Sequence, residues 1–261
     1  MNVTNEVDPV IQDIVERALE EIETSLGARI IFAVDAGPRG SGTASADSPY
    51  QIRFVYVHRL DWYLKLTPGA DSIELPASED FSLSGWDIRR LAKTIQTGDF
   101  SETGWLTSRT VYRSDADLLS RLVGLQRRAW RPAEEFKTRV EKASREVSGW
   151  GLGVTLTTDQ FLKAFRPAAE AHWIAEGKGS LPYDLQTLCA DLSPDVKNEV
   201  SQFLDHKKVH AASVPAPITS RSQMFMDTEL PRLRTIHIPT GVQASDGPFD
   251  RVAADLIRRF G

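Results

Sequence analysis

Residues 31–57, IFAVDAGPRGSGTASADSPYQIRFVYV, join an apolar run to a second, alternating run through a loop rich in Gly, Ser, Pro and Ala. Such a loop between two strands suits phosphate chemistry, because glycines let backbone N–H groups come close to an oxyanion. Gly37, Gly40 and Gly42 supply that freedom here, although glycines in a loop are as often simple punctuation. Ser48 adds a hydroxyl, and Arg39 and Arg53 supply cations for an anionic ligand such as a nucleotide. Phosphoryl and nucleotidyl transfer asks little covalent work of a protein beyond the cradle and one or two Mg²⁺ ions held by closely spaced carboxylates. Two acids one residue apart on a strand share a sheet face and can share those ions. The second run opens Pro49-Tyr50-Gln51, without acids. The nearest carboxylates are Asp35, at the end of the first run, and Asp47, in the loop, which form the candidate pair for a relocated metal site.

The elements that must position these residues are readable from periodicity. Asp8 as N-cap, Pro9 at the first helical position and Gly27 beyond the end predict a helix over Pro9 to Leu26. Ala28–Val34 reads as a strand buried on both faces, and Gln51–Val57 as one with Ile52, Phe54 and Tyr56 on one side and Arg53, Val55 and Val57 on the other. Leu60–Leu66 reads as a short helix or turn broken at Pro68-Gly69, with strand candidates at Ser72–Leu75 and Phe81–Leu83. Ser84-Gly85-Trp86-Asp87 reads as a capping box opening a helix. Helices are then expected near Ile88–Thr97, Ser101–Thr107, Asp115–Val147, Thr158–Ala175, Tyr183–Ala190, Pro194–Lys207 and Phe249–Phe260. Gly149, Gly151 and Gly153 punctuate the middle, and VPAPITS (214–220) is the clearest late loop. The expected class is α+β: a small, twisted mixed sheet with helices over 1–112, followed by an all-helical part over 113–261.

Several segments in order resemble one family. DAGPRGSGTASADSPYQIRFVYV, then Asp61-Trp62-Tyr63-Leu64, SLSGWDIRRLA at 82–92, ETGWLTSRTVY at 102–112 and FLKAFRPAAEAHWI at 161–174 are similar to the RNA-ligase-associated predicted nucleotidyltransferases. These are a branch of the DNA-polymerase-β-like nucleotidyltransferases. The resemblance spans most of residues 28–208 and implies a polymerase-β-like nucleotidyltransferase fold. It also implies where catalytic groups should stand. The family's two metal-binding acids fall on Pro49 and Gln51, and its third acid falls on Ser82. The family Ser after the first loop glycine becomes Pro38, which has no N–H. Asp159 and Gln160 stand where the family tends to carry a Lys pair. Neutral oxygen ligands hold a hard divalent ion far more weakly than carboxylates.

The resemblance therefore implies a pseudo-enzyme with no catalytic residues expected at Pro49, Gln51 and Ser82. It would bind a nucleotide or other anionic ligand through Gly37, Arg39, Gly42, Ser48 and Arg53, or a protein partner, without a cofactor. The alternative is an active enzyme transferring a nucleoside monophosphate to RNA or a small molecule, with Mg²⁺ on relocated acids. A third reading is an RNA-binding module using Arg127, Arg128 and Arg131 around Trp130. The net charge of −5 argues against broad nucleic-acid binding.

Other residues take plainer expectations. Asp87 reads as a helix-capping acid, and Cys189 as core filler. His206 and His210 read as a solvated helix end, and Trp86, Trp105, Trp150 and Trp173 as core or seam aromatics. The 261 residues contain one cysteine, no run of about 20 apolar residues and no secretory leader pattern. A cytoplasmic location and no membrane partner follow as expectations.

Overall fold

A nearly all-apolar first strand can only sit in the middle of a sheet, and that is where β1 (Ala28–Asp35) lies. It pairs antiparallel with β2 (Tyr50–His58) on one side and with β5 (Val111–Ser114) on the other. Parallel to β2 runs β4 (Phe81–Asp87), edged by β3 (Ser72–Glu74), so the strand order is β3-β4-β2-β1-β5. The computed structural model describes residues 7–45, 47–67, 69–148, 156–209, 215, 220–240 and 245–261. The trio Gly149, Gly151 and Gly153, together with Trp150, His210 and most of the 214–220 loop, lies outside the described residues.

The alternation in β2 settles both faces. Ile52, Phe54 and Tyr56 join Leu83 and Tyr112 in one core with Val15, Leu19 and Ile22 of α1 (Pro9–Leu26). That helix is built as its ends suggest: the Asp8 side chain accepts from the Val10 N–H, and Gly27 closes it at φ +58°. Gln51, Arg53, Val55 and Val57 face the other way, toward the side on which α3 (Ile88–Thr97) and the C-terminal helix pack against β2.

After β2 come α2 (Leu60–Tyr63), β3 and β4; after α3 come α4 (Phe100–Thr103), a 3₁₀ turn (Gly104–Thr107), β5 and α5 (Ala116–Ala129). Then follow α6 (Pro132–Val147), α7 (Thr158–Ala175), α8 (Leu185–Leu188), α9 (Pro194–Val209), α10 (Ser220–Leu233) and α11 (Gly247–Phe260). Two compact units result. One comprises Met1–Ser41, Pro49–Ala129 and Gln243–Gly261; the other comprises Gly42–Ser48 and Trp130–Val242. The division thus differs from the expected boundary at 112/113, because α5 stays with the sheet and α11 returns to it.

Three local expectations are corrected. The single helix expected over 115–147 is two, since Pro132 lacks an N–H and drives Arg131 out of the helical region, to φ −119° and ψ 80°. Arg127 and Arg128 therefore end one helix, exposed, while Arg131 precedes another, so the four residues of the proposed RNA patch do not share one helix face. The Ser84–Asp87 capping box is not formed: Ser84 lies within β4 in register with Arg53, and Asp87 is itself the N-cap, accepting from the Arg89 N–H at 2.9 Å. No helix was expected at α10, where Pro231 interrupts the pattern.

In the second unit a buried charge network joins α6 to α7. Arg139 pairs with Glu135 and Glu170, each at 2.8 Å, and Arg166 reaches Glu170 at 2.9 Å. The two positions where the family tends to carry lysines are also built in. Asp159 holds the buried Lys207 at 2.5 Å, and Gln160 closes a capping box with Thr157. Cys189 is buried and its thiol is pushed up to about 12 by desolvation, as suits a core residue.

At the far end of β2, His58 is 7% exposed, stacked on Trp62 at 4.1 Å and edge-on to Tyr56. Tyr63 accepts from the His58 N–H and donates to Asp87 at 2.6 Å, which ties α2 to the start of α3. Burial holds the imidazole below its ordinary range, outweighing the attraction of Asp87, with Lys65 and Arg89 acting in the same sense as burial. As pH falls through about 6.5, the unfolded chain therefore takes this proton before the native chain does, and stability is lost from there down to the native pKa. Thermal unfolding from about pH 7.5 to about pH 5.5 should cost wild type more than His58→Phe. Parallel profiles for the two proteins would refute a buried neutral His58.

Candidate functional site

The parallel register between β2 and β4 sets Gln51 directly beside Ser82 and Arg53 beside Ser84. Cα atoms of neighbouring strands lie about 4.8 Å apart, so an acid at each of the first two positions could share one cation. Gln51 is exposed and Ser82 half-buried on this face. The half-buried Arg53 has its guanidinium 4.7 Å from the Trp86 ring centre and 5.6 Å from that of Trp105. Trp86 and Trp105 meet edge-to-face at 5.9 Å, and Arg90 also lies over Trp86, at 5.0 Å. At this end of the sheet a half-buried guanidinium thus rests on two buried indoles, flanked by an amide and a hydroxyl.

Asp35 is turned away from it. Its register partner is Ile52, which places the carboxylate on the α1 side of the sheet, opposite Gln51 and Ser82. The side chain is fully buried, with Oδ1 accepting from the N–H groups of Gly37 (2.8 Å) and Gly40 (3.2 Å). A longer contact runs from the Gln51 N–H to Oδ2 at 3.4 Å. Desolvation raises its pKa, against the lowering effect of those backbone bonds and of the Arg39 charge. The loop N–H groups that a phosphate would seek are therefore spent on an internal carboxylate. A Cβ at Gly40 would sit 1.9 Å from the Asp35 carbonyl oxygen and 2.4 Å from the Ser108 hydroxyl, so only glycine lets the loop close this tightly. Gly37 likewise leaves room for Gln51, whose carboxamide oxygen would be 2.9 Å from a Cβ there.

The remaining expected residues are distributed. Arg39 lies over the Tyr50 ring, its guanidinium carbon 3.9 Å from the centroid. Pro49 is half-buried at the entry to β2. Gly42, Asp47 and Ser48 belong to the Gly42–Ser48 segment of the other unit. There Gly42 turns the chain at φ +73°, Asp47 is exposed, and the Ser48 hydroxyl is taken up by Ser45, through its N–H at 2.8 Å and its hydroxyl at 2.7 Å. Among the described residues no three His, Cys, Asp or Glu side chains gather as a metal site. Sequence reasoning missed Tyr50 and Tyr112, which lie near Arg39 and Asp35; a tyrosine in a strand carries no signal of where its hydroxyl ends.

Comparison with known proteins decides the family. The model of RlaP, the RNA repair pathway DNA polymerase beta family, matches residues 11–247. The chain belongs to this family. An uncharacterized protein, YcgL, of Bacillus subtilis (strain 168) is 28% identical over 218 residues, 82% of this chain and 84% of its own. A nucleotidyltransferase-like protein of known structure from Exiguobacterium sibiricum 255-15 is 11% identical, with a TM-score of 0.28 over 94% of this chain and 75% of that one. A mixed α+β architecture around a five-stranded sheet is the frame of this member of the DNA polymerase beta family. Among the described residues no helix is long and apolar enough to cross a membrane.

Proposed function

We propose that this member of the RNA repair pathway DNA polymerase beta family has lost metal-dependent nucleotidyl transfer and acts by binding a ligand or partner at the old catalytic face. The observation that carries the reading is the side-by-side placement of Gln51 and Ser82, in register on adjacent parallel strands, where the family resemblance puts two of its acids. An amide and a hydroxyl are a poor donor set for Mg²⁺, and Asp35, one of the two candidate replacement acids, lies on the opposite side of the sheet with its Oδ1 engaged by two N–H groups. The donor set does not fit the ion.

What the face retains suits recognition without a metal. Arg53, held against Trp86 and Trp105, is positioned for an anionic or planar group, and Gln51 and Ser82 offer neutral hydrogen bonds. The family's tie to RNA repair favours a nucleotide or an RNA end as the ligand class. The test is the Mg²⁺ dependence of nucleotide binding.

A further inference from the structure

We infer that the α2 turn is a self-association surface, on which a second copy of this chain docks about a twofold axis. One exposed leucine is ordinary on a protein surface, but three within seven residues call for a partner. Leu60 is 44% exposed, Leu64 72% and Leu66 fully. They are displayed from a fixed base. Trp62 stacks on His58 at 4.1 Å, and the Arg89 guanidinium lies 5.2 Å from the indole ring centre. The chain after Leu66 folds back on the same indole, since a Cβ at Gly69 would stand 2.7 Å from Trp62 Cζ2. Tyr63 donates to the buried Asp87 at 2.6 Å. A surface already held in place loses less conformational entropy on docking.

Charge identifies the occupant. Arg59, Asp61 and Lys65 are exposed, and among the described residues none of them makes an ion pair. Asp61 and Lys65 stand one helical turn apart, as do Leu60 and Leu64. An acid and a base so spaced, each without a mate, are complementary to themselves. A twofold axis across the turn sets each copy's Asp61 against the other's Lys65, while the leucines of the two copies meet. A surface of one sign would instead suit an oppositely charged protein or an anionic membrane. The strand β2 carries this surface about 20 Å from Gln51. Gln51 and Ser82 therefore lie outside the contact, and the inference stands whatever the old catalytic face binds.

Analytical ultracentrifugation of the full chain at low ionic strength, loaded from about 5 to about 500 µM, tests this. A monomer–dimer equilibrium with a Kd on the order of 10⁻⁵–10⁻⁴ M is expected, as suits so small a contact. The double variant Leu64→Asp, Leu66→Asp should weaken it about tenfold or more. Asp61→Lys or Lys65→Asp alone should weaken it about threefold to tenfold. All four positions are exposed, so each variant should keep the wild-type circular dichroism and melting temperature. The double swap Asp61→Lys, Lys65→Asp should recover the wild-type affinity, and an equimolar mixture of the two single swaps should form a heterodimer. A chain that stays monomeric throughout, association unmoved by the leucine variant, or a double swap that recovers nothing would overturn the twofold contact. So would a monomer that floats with phosphatidylcholine–phosphatidylserine vesicles and is released by the leucine variant, which would assign the leucines to a lipid surface.

Discussion

Placing acids at Pro49, Gln51 and Ser82 should create a divalent-cation site on this face of the sheet. The triple variant Pro49→Asp, Gln51→Asp, Ser82→Asp puts two carboxylates in register on adjacent parallel strands and a third at the entry to β2. Three hard oxygen ligands at that spacing are expected to bind Mg²⁺ or Mn²⁺ with a Kd on the order of 10⁻⁴–10⁻³ M, read by calorimetry or Mn²⁺ electron paramagnetic resonance. Gln51 is exposed and Ser82 and Pro49 half-buried, so the acids can stay hydrated and the fold should survive. A folded triple variant that binds no better than wild type would contradict the placement of the motif.

The second large effect concerns the loop. Asp35→Ala removes the acceptor shared by the Gly37 and Gly40 N–H groups and leaves both without partners in a buried setting. Each unpaired group costs about 1–3 kcal/mol, so a loss of about 3–5 kcal/mol is expected from denaturant unfolding once the small cavity is included. Asp35→Asn keeps an acceptor oxygen and should lose far less. The two variants also separate the carboxylate's charge from its geometry. Burial raises the native pKa of Asp35 above the unfolded value, so the native chain takes this proton first as pH falls. The cost of the buried charge is present at neutral pH and removed on acidification. Asp35→Asn lacks it at every pH, so wild type should gain on the Asn variant as the solution is acidified. Equal losses for Ala and Asn would refute the loop-organising role.

Much of this was readable before any coordinates. The strand pair around the Gly-rich loop and the two faces of β2 follow from apolar alternation, and α1, α3 and α7 fall at the predicted residues. The side-by-side placement of Ser82 and Gln51 comes from the parallel register of β2 and β4, which no local periodicity announces. Other features were hidden for physical reasons. β5 is four residues long and includes Arg113, whose charge is absorbed by Glu16 and Glu23 of α1, a long-range pairing that no local pattern announces. The break before Pro132 was available from the restriction that proline imposes on its predecessor, but the strong periodicity on both sides masked it. Which side of the sheet Asp35 faces depends on its pairing with Ile52, and register is a tertiary fact. That single fact separates a carboxylate that organises a loop from one that could have held a metal.

The most direct test is calorimetric titration of the wild-type chain with ATP, GTP, CTP and UTP, each with and without Mg²⁺. A donor set of Gln51 and Ser82 predicts binding that is absent or the same with and without the ion. Tight binding of one nucleotide that requires Mg²⁺ would contradict the loss of metal-dependent chemistry and point to an active transferase with its carboxylates elsewhere.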